Sequence, residues 1–298
     1  MTALPALTWP VIAAVLLAAL LHAGWNTLVK SSSDKALDTA LVHALAALVA
    51  LPVALWVGPP QPQSWPFIAA SLLVHVGYYA ALASAYQHGD LGLTYPIMRG
   101  FAPLLTALAS GSLLGEVPST AAWLGIVGIA LGVSLVGLAH PGQALHHPLH
   151  HRKAVAYALA NAAIIAVYTL IDGRGIRTEL AHGGQALPYV MALFVLDGIS
   201  YPLLVWLRRS PAQRQALLVY ARQRAPVAAL GGCASIGSYT IALWAMTRAP
   251  VASVAALRET SVLFAALLGH RVLRERFGLQ RALGTGVIVL GVMALRLG

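Results

Sequence analysis

The chain has 298 residues, of which 59% are hydrophobic and 9% are charged, and its mean hydropathy is +0.76. A soluble domain of this length cannot cover so much apolar surface, so the composition excludes a soluble protein and indicates that lipid surrounds most of the chain. The net charge of +10 comes from basic residues between apolar runs, with no aromatic-basic motif, so we expect no nucleic-acid partner.

Charge clusters and Pro/Gly turns divide the chain into ten predicted transmembrane helices, each about 20 residues long, as a hydrocarbon core of about 30 Å requires. The predicted fold is therefore an all-α polytopic membrane protein. Two connections are longer than the rest: a histidine-rich one from His140 to Lys153, and one from Arg208 to Arg224 with five arginines. The spans run approximately over 8–29, 36–57, 65–87, 91–114, 120–139, 153–172, 185–207, 226–247, 250–270 and 277–297.

The two halves of the chain resemble each other. Over residues 90–139, a shift of 159 gives about thirteen identities in fifty pairs. We predict a first five-helix repeat over 1–142, a linker over 143–152 and a second repeat over 153–298. Because five is odd, the second repeat enters the membrane from the opposite side, as in inverted-repeat transporters. The shift superposes Arg99 on Arg258, Glu116 on Glu275, Gly125 on Gly284 and Gly132 on Gly291.

Arg99 lies in "LTYPIMRGFAP", about eight residues into the fourth span and roughly 12 Å deep. A central charge costs at least ~2.5 kcal/mol, so we expect Arg99 and Arg258 to face a cavity or a partner. Pro96 and Pro103 predict a broken helix around Arg99 that lines this cavity. Substrate binding is one interpretation of each arginine.

A structural ion pair is the other interpretation of Arg99, with Asp197, Glu259 or Asp38 as the partner. For Arg258, the adjacent Glu259 offers charge balance.

Several further side chains at membrane depth suit a substrate pocket. Tyrosine and tryptophan offer an apolar face and a hydrogen bond, although they suit helix packing equally well. Asp197, alone in "LFVLDGISYP", has two interpretations: a proton relay or cation site, and a pair with an arginine. The predicted substrate-binding residues are Arg99, Tyr95, Trp25, Tyr79, Arg258, Glu259, Asp197, Tyr168 and Trp244.

Other motifs indicate structure. Glu116 and Glu275 follow the fourth and ninth spans, where a carboxylate caps the next helix or meets loop arginines. Small residues predict a close helix contact, within one chain or across a homodimer. The histidines of the long loop lack metal-ligand spacing, and no nucleophile elbow or phosphate loop occurs, so we expect no metal, cofactor or catalytic set. The small residues are Gly125, Gly128, Gly132, Gly284 and Gly291, and the histidines are His140, His146, His147, His150 and His151.

"GDLGLTYPIMRGFAPLLTALASGSLLGE", "WLGIVGIALGV", "HAGWNTLVK" and "ALRETSVLFAALLGHRVLRERFGLQRALGTGVIVLGV" together resemble the EamA-type, ten-helix transporters of the drug/metabolite transporter superfamily. The resemblance covers almost the whole chain. It implies a carrier that works by alternating access without a bound cofactor, for a substrate that family membership does not specify. The small four-helix relatives carry a coupling carboxylate in the first span, and residues 8–29 have none. Proton antiport would therefore use Asp197, Glu259 or a histidine.

We expect a secondary transporter of a small polar or amphipathic metabolite, such as an amino acid, in the cytoplasmic membrane of a bacterium. The alternative is a membrane-embedded enzyme or a non-transporting sensor that uses the same cavity. Odd-numbered connections carry thirteen Lys and Arg residues, whereas the other side carries four, which predicts that both termini lie outside. The resemblance implies the reverse, with both termini in the cytoplasm.

Overall fold

We describe the fold from a computed structural model, which covers residues 7–30, 34–88, 91–137, 148–273 and 278–298. In these ranges the long helices follow one another with short turns, and a 3-10 turn precedes the third helix. α9 and α10 together form the ninth span. The helices are α1 (Trp9–Lys30), α2 (Lys35–Val57), α3 (Trp65–His88), α4 (Leu91–Leu114), α5 (Thr120–Gly137), α6 (Pro148–Ala181), α7 (Ala186–Leu207), α8 (Pro211–Met246), α9 (Val251–Arg258), α10 (Ser261–Leu273) and α11 (Leu279–Leu297).

The helices have the length and composition of membrane spans. Among the described residues, nine helical segments are long and apolar enough to cross a membrane. α3 adds 24 residues, or about 36 Å of helix at 1.5 Å per residue. Large leucines such as Leu55 and Leu73 are 77% and 75% exposed on the outside, whereas Asn161 and Asp172 are fully buried. This apolar exterior confirms the predicted all-α polytopic membrane fold.

Contacts between helices follow the predicted two-repeat symmetry, in which α1 to α5 correspond to α6, α7, α8, α9 with α10, and α11. α2 packs against its equivalent α7, and α5 against its equivalent α11. The contact of α3 with α6 has its counterpart in α8 with α1, and that of α4 with α6 in α10 with α1. Both repeats therefore contribute helices to the centre of the molecule.

The predicted small-residue face joins α5 to α11 within the chain. A Cβ atom added at Gly132 would lie 2.7 Å from the carbonyl oxygen of Gly284, and one at Gly291 would lie 2.9 Å from that of Gly125. Only glycine allows two helix backbones to approach so closely. Of the two alternatives, the structure has the contact inside one chain.

Two predicted boundaries are wrong, because helices continue beyond the apolar spans. α6 covers Pro148–Ala181 instead of 153–172, and α8 begins at Pro211 instead of residue 226. Ser210 starts α8 with a capping box to Gln213, so most of the predicted arginine-rich loop is helical. Charged residues end the stretch that lipid favours, but they do not end a helix.

The histidine-rich connection lies mostly outside the described residues. His140, His146 and His147 fall there, whereas His150 and His151 belong to the first turn of α6.

The expected helix break occurs in the other repeat. α4 is continuous through Pro96 and Pro103, so the prediction of a broken helix around Arg99 is wrong. The interruption lies between α9 and α10, where the amides of Glu259 and Thr260 donate to the carbonyls three residues earlier, at 3.0 and 3.1 Å. Such tight 3-10 turns within a helix often mark functional hinges. This one directly follows Arg258.

Candidate functional site

Arg99 and Glu259 form a buried ion pair between the two repeats. Arg99, the ninth residue of α4, places Nε 2.7 Å from Oε2 of Glu259, which follows α9. A guanidinium nitrogen of Arg99 also donates to Ser261 Oγ at 3.1 Å. The two charged side chains are only 10% and 6% exposed. The charge of Arg99 is therefore balanced by Glu259, one of the three carboxylates that the sequence offered.

Arg258 has no such partner. Glu259, which the sequence offered as its counterion, pairs with Arg99 instead. Among the residues that the structure describes, none forms a hydrogen bond or an ion pair with the Arg258 guanidinium, which lies over the ring of Tyr239 with its carbon 5.1 Å from the centroid. The two symmetry-related arginines thus differ in direct pairing: among the described residues Glu259 contacts the guanidinium of Arg99, and none forms an ion pair with that of Arg258.

Both arginines line one narrow pocket between α4, α6 and α9. The empty volume, including the space at its open side, is about 260 Å³. Hydroxyl groups, a tyrosine ring and apolar side chains complete its wall. The lining residues are Arg99, Ala102, Pro103, Thr106, Ile165, Tyr168, Thr169, Ala255, Arg258 and Glu259.

Asp172 is a buried carboxylate behind the pocket that the sequence analysis missed. Tyr189 donates its hydroxyl to Asp172 at 3.1 Å, and Tyr239 donates to the other carboxylate oxygen. Since the ring of Tyr239 also supports Arg258, this tyrosine connects Asp172 to the free guanidinium. The sequence analysis misses Asp172 because the charges of "DGRGIR" predict that the sixth span ends there, whereas α6 continues to Ala181.

Asp197 belongs to a separate polar cluster. Its carboxylate lies 2.8 Å from Nδ1 of His43 and accepts the hydroxyl of Tyr79 at 3.0 Å. The partner of Asp197 is thus a histidine and not an arginine. We call His43, Tyr79, Asp197 and Tyr201, whose ring stacks on Tyr79, the His43–Asp197 cluster. Among the predicted site residues, Tyr79 and Asp197 therefore lie outside the pocket lining.

The other predicted aromatics occupy different places. Tyr168 lines the pocket, and the ring of Tyr95 lies 5.9 Å from the Arg99 guanidinium carbon. Trp25 packs edge-on against His22 of α1, with its indole nitrogen buried and without a hydrogen-bond partner in the described ranges. Trp244 lies near the end of α8 beside Arg248. Neither tryptophan belongs to the pocket lining.

Ion pairs join the repeats above and below the pocket. Where α1–α2 and α7–α8 connect, Arg209 pairs with Asp34 at 2.6 Å and Arg224 with Asp38 at 2.5 Å. At the opposite face, Arg177 pairs with Glu116 at 2.5 Å.

Glu116 does not cap the helix that follows it, α5, but it does contact an arginine as the sequence suggested. Its other carboxylate oxygen accepts the amide of Val251 at 2.9 Å, at the start of α9. Glu275 lies outside the described residues.

Comparison with known proteins agrees with this architecture. The EamA-like transporter family model matches residues 9–138 and 152–297. A solved crystal structure resembles the chain with a TM-score of 0.73 and 21% identity, over 96% of this chain and 98% of that chain. At this identity the likeness concerns the fold alone. The family match covers both halves, so the chain is an integral multi-pass membrane protein and belongs to the EamA-like transporter family, whose members are membrane transporters.

Proposed function

We propose that the protein is a secondary transporter of a small polar or amphipathic solute with an anionic group, such as an amino acid, and that Arg258 binds this group. The observation that carries the proposal is the unpaired guanidinium of Arg258 in the pocket wall. A cation at membrane depth without a counterion is costly. A carboxylate bound there supplies the missing charge and a bidentate hydrogen-bond partner.

The surroundings of Arg258 support a small anion. The helix break puts the first turn of α10, which begins at Ser261, beside the pocket, and a helix N-terminus carries partial positive charge. The hydroxyls of Thr106 and Thr169 offer further hydrogen bonds. The ring of Tyr168 and neighbouring apolar side chains offer contact to an uncharged part of the solute.

Alternating access fits the inverted repeats. The pocket lies where α4 of one repeat meets α6 and α9 of the other, and ion pairs between the repeats close the molecule on both sides. We infer that opening one set while the other stays closed exposes the pocket to each side in turn. Apolar helical spans are typical of the cytoplasmic membrane of a bacterium, where we place the protein.

The test is a thermal-shift screen of the purified protein. We expect L-amino acids and related monocarboxylates to raise the melting temperature, and the matched primary amides to have no effect, because the amides lack the charge that pairs with Arg258. Arg258→Gln abolishes the shift while keeping the fold. Stabilisation by amides and carboxylates alike, or an undiminished shift in Arg258→Gln, contradicts the proposal.

A further inference from the structure

The His43–Asp197 cluster is a buried ionisable site that the pocket does not use. It joins the repeats, because His43 and Tyr79 come from α2 and α3, and Asp197 and Tyr201 come from α7. The side chains of His43 and Asp197 are 16% and 14% exposed. The ring centroids of Tyr79 and Tyr201 lie 4.1 Å apart, so aromatic rings cover the pair on one side.

The backbones of α2 and α7 approach closely beside this cluster. Gly198 follows Asp197, and a Cβ atom added there would lie 2.6 Å from the carbonyl oxygen of His43. No side chain separates the two backbones at this level. Any motion of one repeat against the other therefore changes the surroundings of His43 and Asp197 directly.

Few other charges face the pair. α3 contributes His75, whose ring centroid lies 6.4 Å from that of Tyr79. α8, which also packs on α2 and α7, carries Arg224, but Arg224 is paired with Asp38. Neither helix brings an unpaired arginine to Asp197. At the end of α7, Asp34, Arg208 and Arg209 act electrostatically on Tyr201, and His75 acts on Asp197. The charge of the cluster therefore depends on the protonation of His43 and Asp197, with His75 as a further titratable neighbour.

We propose that His43 and Asp197 form a proton-binding site that couples solute transport to a proton gradient, which rests on the proposed function. With one proton on the imidazole, the pair is an imidazolium and a carboxylate with no net charge. Without that proton it carries a net negative charge, which a dry site disfavours. Closure of α2 on α7 therefore retains one proton, and separation admits water and releases it to the open side. Only an N–H bond forms and breaks.

The hydrogen-bond pattern favours a proton over a metal ion. Alkali and alkaline-earth cations bind several oxygen ligands. The lone pairs of these oxygens face the ion and are not taken up by hydrogen bonds among the ligands. Here the Asp197 carboxylate is already contacted by Nδ1 of His43 and by the Tyr79 hydroxyl, which donates to it. A metal ion at Asp197 would have to displace both groups.

A chain of rings leads from the cluster to the solute pocket. The centroid of Tyr79 lies 5.4 Å from that of Tyr78, and Tyr78 lies 6.1 Å from Tyr168, a pocket residue. His75 stacks on the same Tyr168 at 4.5 Å. A shift of α3 on loss of the proton therefore reaches the pocket wall.

The first experiment is transport in proteoliposomes with a mixture of the twenty L-amino acids in labelled form. An imposed pH gradient should drive accumulation by the wild type. Asp197→Asn and His43→Gln should accumulate at least tenfold less than the wild type. Both variants should keep gradient-independent exchange and the thermal shift. Gly286→Ala, a substitution in open space on α11 and away from both sites, serves as the control and keeps gradient-driven accumulation.

The proposal is overturned if Asp197→Asn accumulates solute in a pH gradient at the wild-type rate. It is also overturned if a Na⁺ gradient, and not a pH gradient, drives accumulation by the wild type. If Arg258→Gln is the only variant that loses both exchange and accumulation, that loss concerns the solute site. The claim about the solute site and the claim about the proton site can therefore fail separately.

The second experiment needs no solute. The histidine ring nitrogens of the full-length, ¹⁵N-histidine-labelled protein are followed by NMR from pH 5 to 9. We expect the ¹⁵N signals of the His43 ring to differ between the wild type and Asp197→Asn, because Asp197 contacts Nδ1 of His43, and to be the same in the wild type and in Gly286→Ala. Tyr79→Phe keeps the ring and replaces Asp197→Asn if that variant does not fold. Identical His43 ring signals in the wild type and in the folded variant refute the site.

Discussion

At the residue scale, charge balance distinguishes two arginines that the repeat makes equivalent. Arg99 is held by Glu259 at 2.7 Å and by Ser261, whereas Arg258 lies over the face of Tyr239 and no residue in the described ranges forms an ion pair with it. The difference arises because Glu259 lies after the helix break and reaches across to α4. One arginine then stabilises the contact between repeats, and the other stays available to a ligand.

This assignment predicts that Glu259→Gln destabilises the protein strongly. The substitution leaves Arg99 buried without a counterion, and breaking one partner of a buried pair costs about 3–5 kcal/mol. Unfolding of the detergent-purified protein measures the loss. The double variant Arg99→Gln/Glu259→Gln should recover part of it, and a Glu259→Gln protein as stable as the wild type contradicts the role of this pair.

Tyr239 is predicted to act on stability and on binding through different parts of its side chain. Tyr239→Phe and Tyr189→Phe each remove one donor to the buried Asp172 carboxylate, at a cost of about 1–3 kcal/mol. Only Tyr239→Leu removes the ring under Arg258, so only this variant should also weaken the thermal shift by carboxylates. Equal weakening by Tyr189→Phe argues against a positioning role for the ring.

The sequence singles out the two arginines and Glu259, because charges are rare in apolar spans and the 159-residue shift pairs Arg99 with Arg258. The sequence does not predict which side chains pair with each other across the repeats. Nothing in the chain order indicates that Glu259 selects Arg99 over its neighbour Arg258, or that Asp197 meets His43. Such pairings depend on the packing of distant helices.

At the element scale, the lengths of the helices and the break between α9 and α10 determine where the residues of the site lie. α6 continues far enough to hold Asp172 inside the protein, and the break between α9 and α10 comes directly after Arg258, at Glu259. Charge clusters and Pro/Gly turns predicted where membrane spans exist, but charges mark the limits of the lipid-facing stretch and not the limits of hydrogen bonding. They therefore placed the end of α6 too early and the start of α8 too late. Pro96 and Pro103 placed the helix break in the wrong repeat.

The α5–α11 contact predicts opposite effects for two glycines of one helix. A Cβ atom at Gly291 would lie 2.8 Å from the backbone nitrogen of Ile129, whereas one at Gly286 meets nothing within 4 Å. Gly291→Ala should destabilise by about 1–3 kcal/mol through overpacking. Gly286→Ala should stabilise by up to about 1 kcal/mol through helix propensity. Unfolding measurements on both variants that give the same sign contradict the packing described here.

At the scale of the whole molecule, inverted symmetry places the pocket, which is the proposed solute site, and the proposed proton site between the repeats. α2 meets α7 at the His43–Asp197 cluster, and α4 meets α6 and α9 at the pocket. The interfaces that must rearrange during transport are therefore the ones that carry ionisable groups. The repeat and its inversion followed from the sequence alone, since the number of spans in each half is odd.

The distribution of basic residues predicts the orientation of the molecule. The side with Arg209 and Arg224 carries most lysines and arginines and should face the cytoplasm, which puts both termini outside. A reporter that is active only outside the cytoplasm, fused after Gly298, should be active. Strong activity of a cytoplasm-only reporter at the same position establishes the reverse orientation.

Solute exchange across a liposome membrane tests the central claim most directly. Liposomes loaded with unlabelled L-amino acids and containing the wild-type protein should take up the labelled mixture from outside. Arg258→Gln should lose this exchange while Gly286→Ala, a substitution in open space on α11, retains it. No exchange by the folded wild type, or equal exchange by wild type and Arg258→Gln, contradicts a transporter whose solute binds at Arg258.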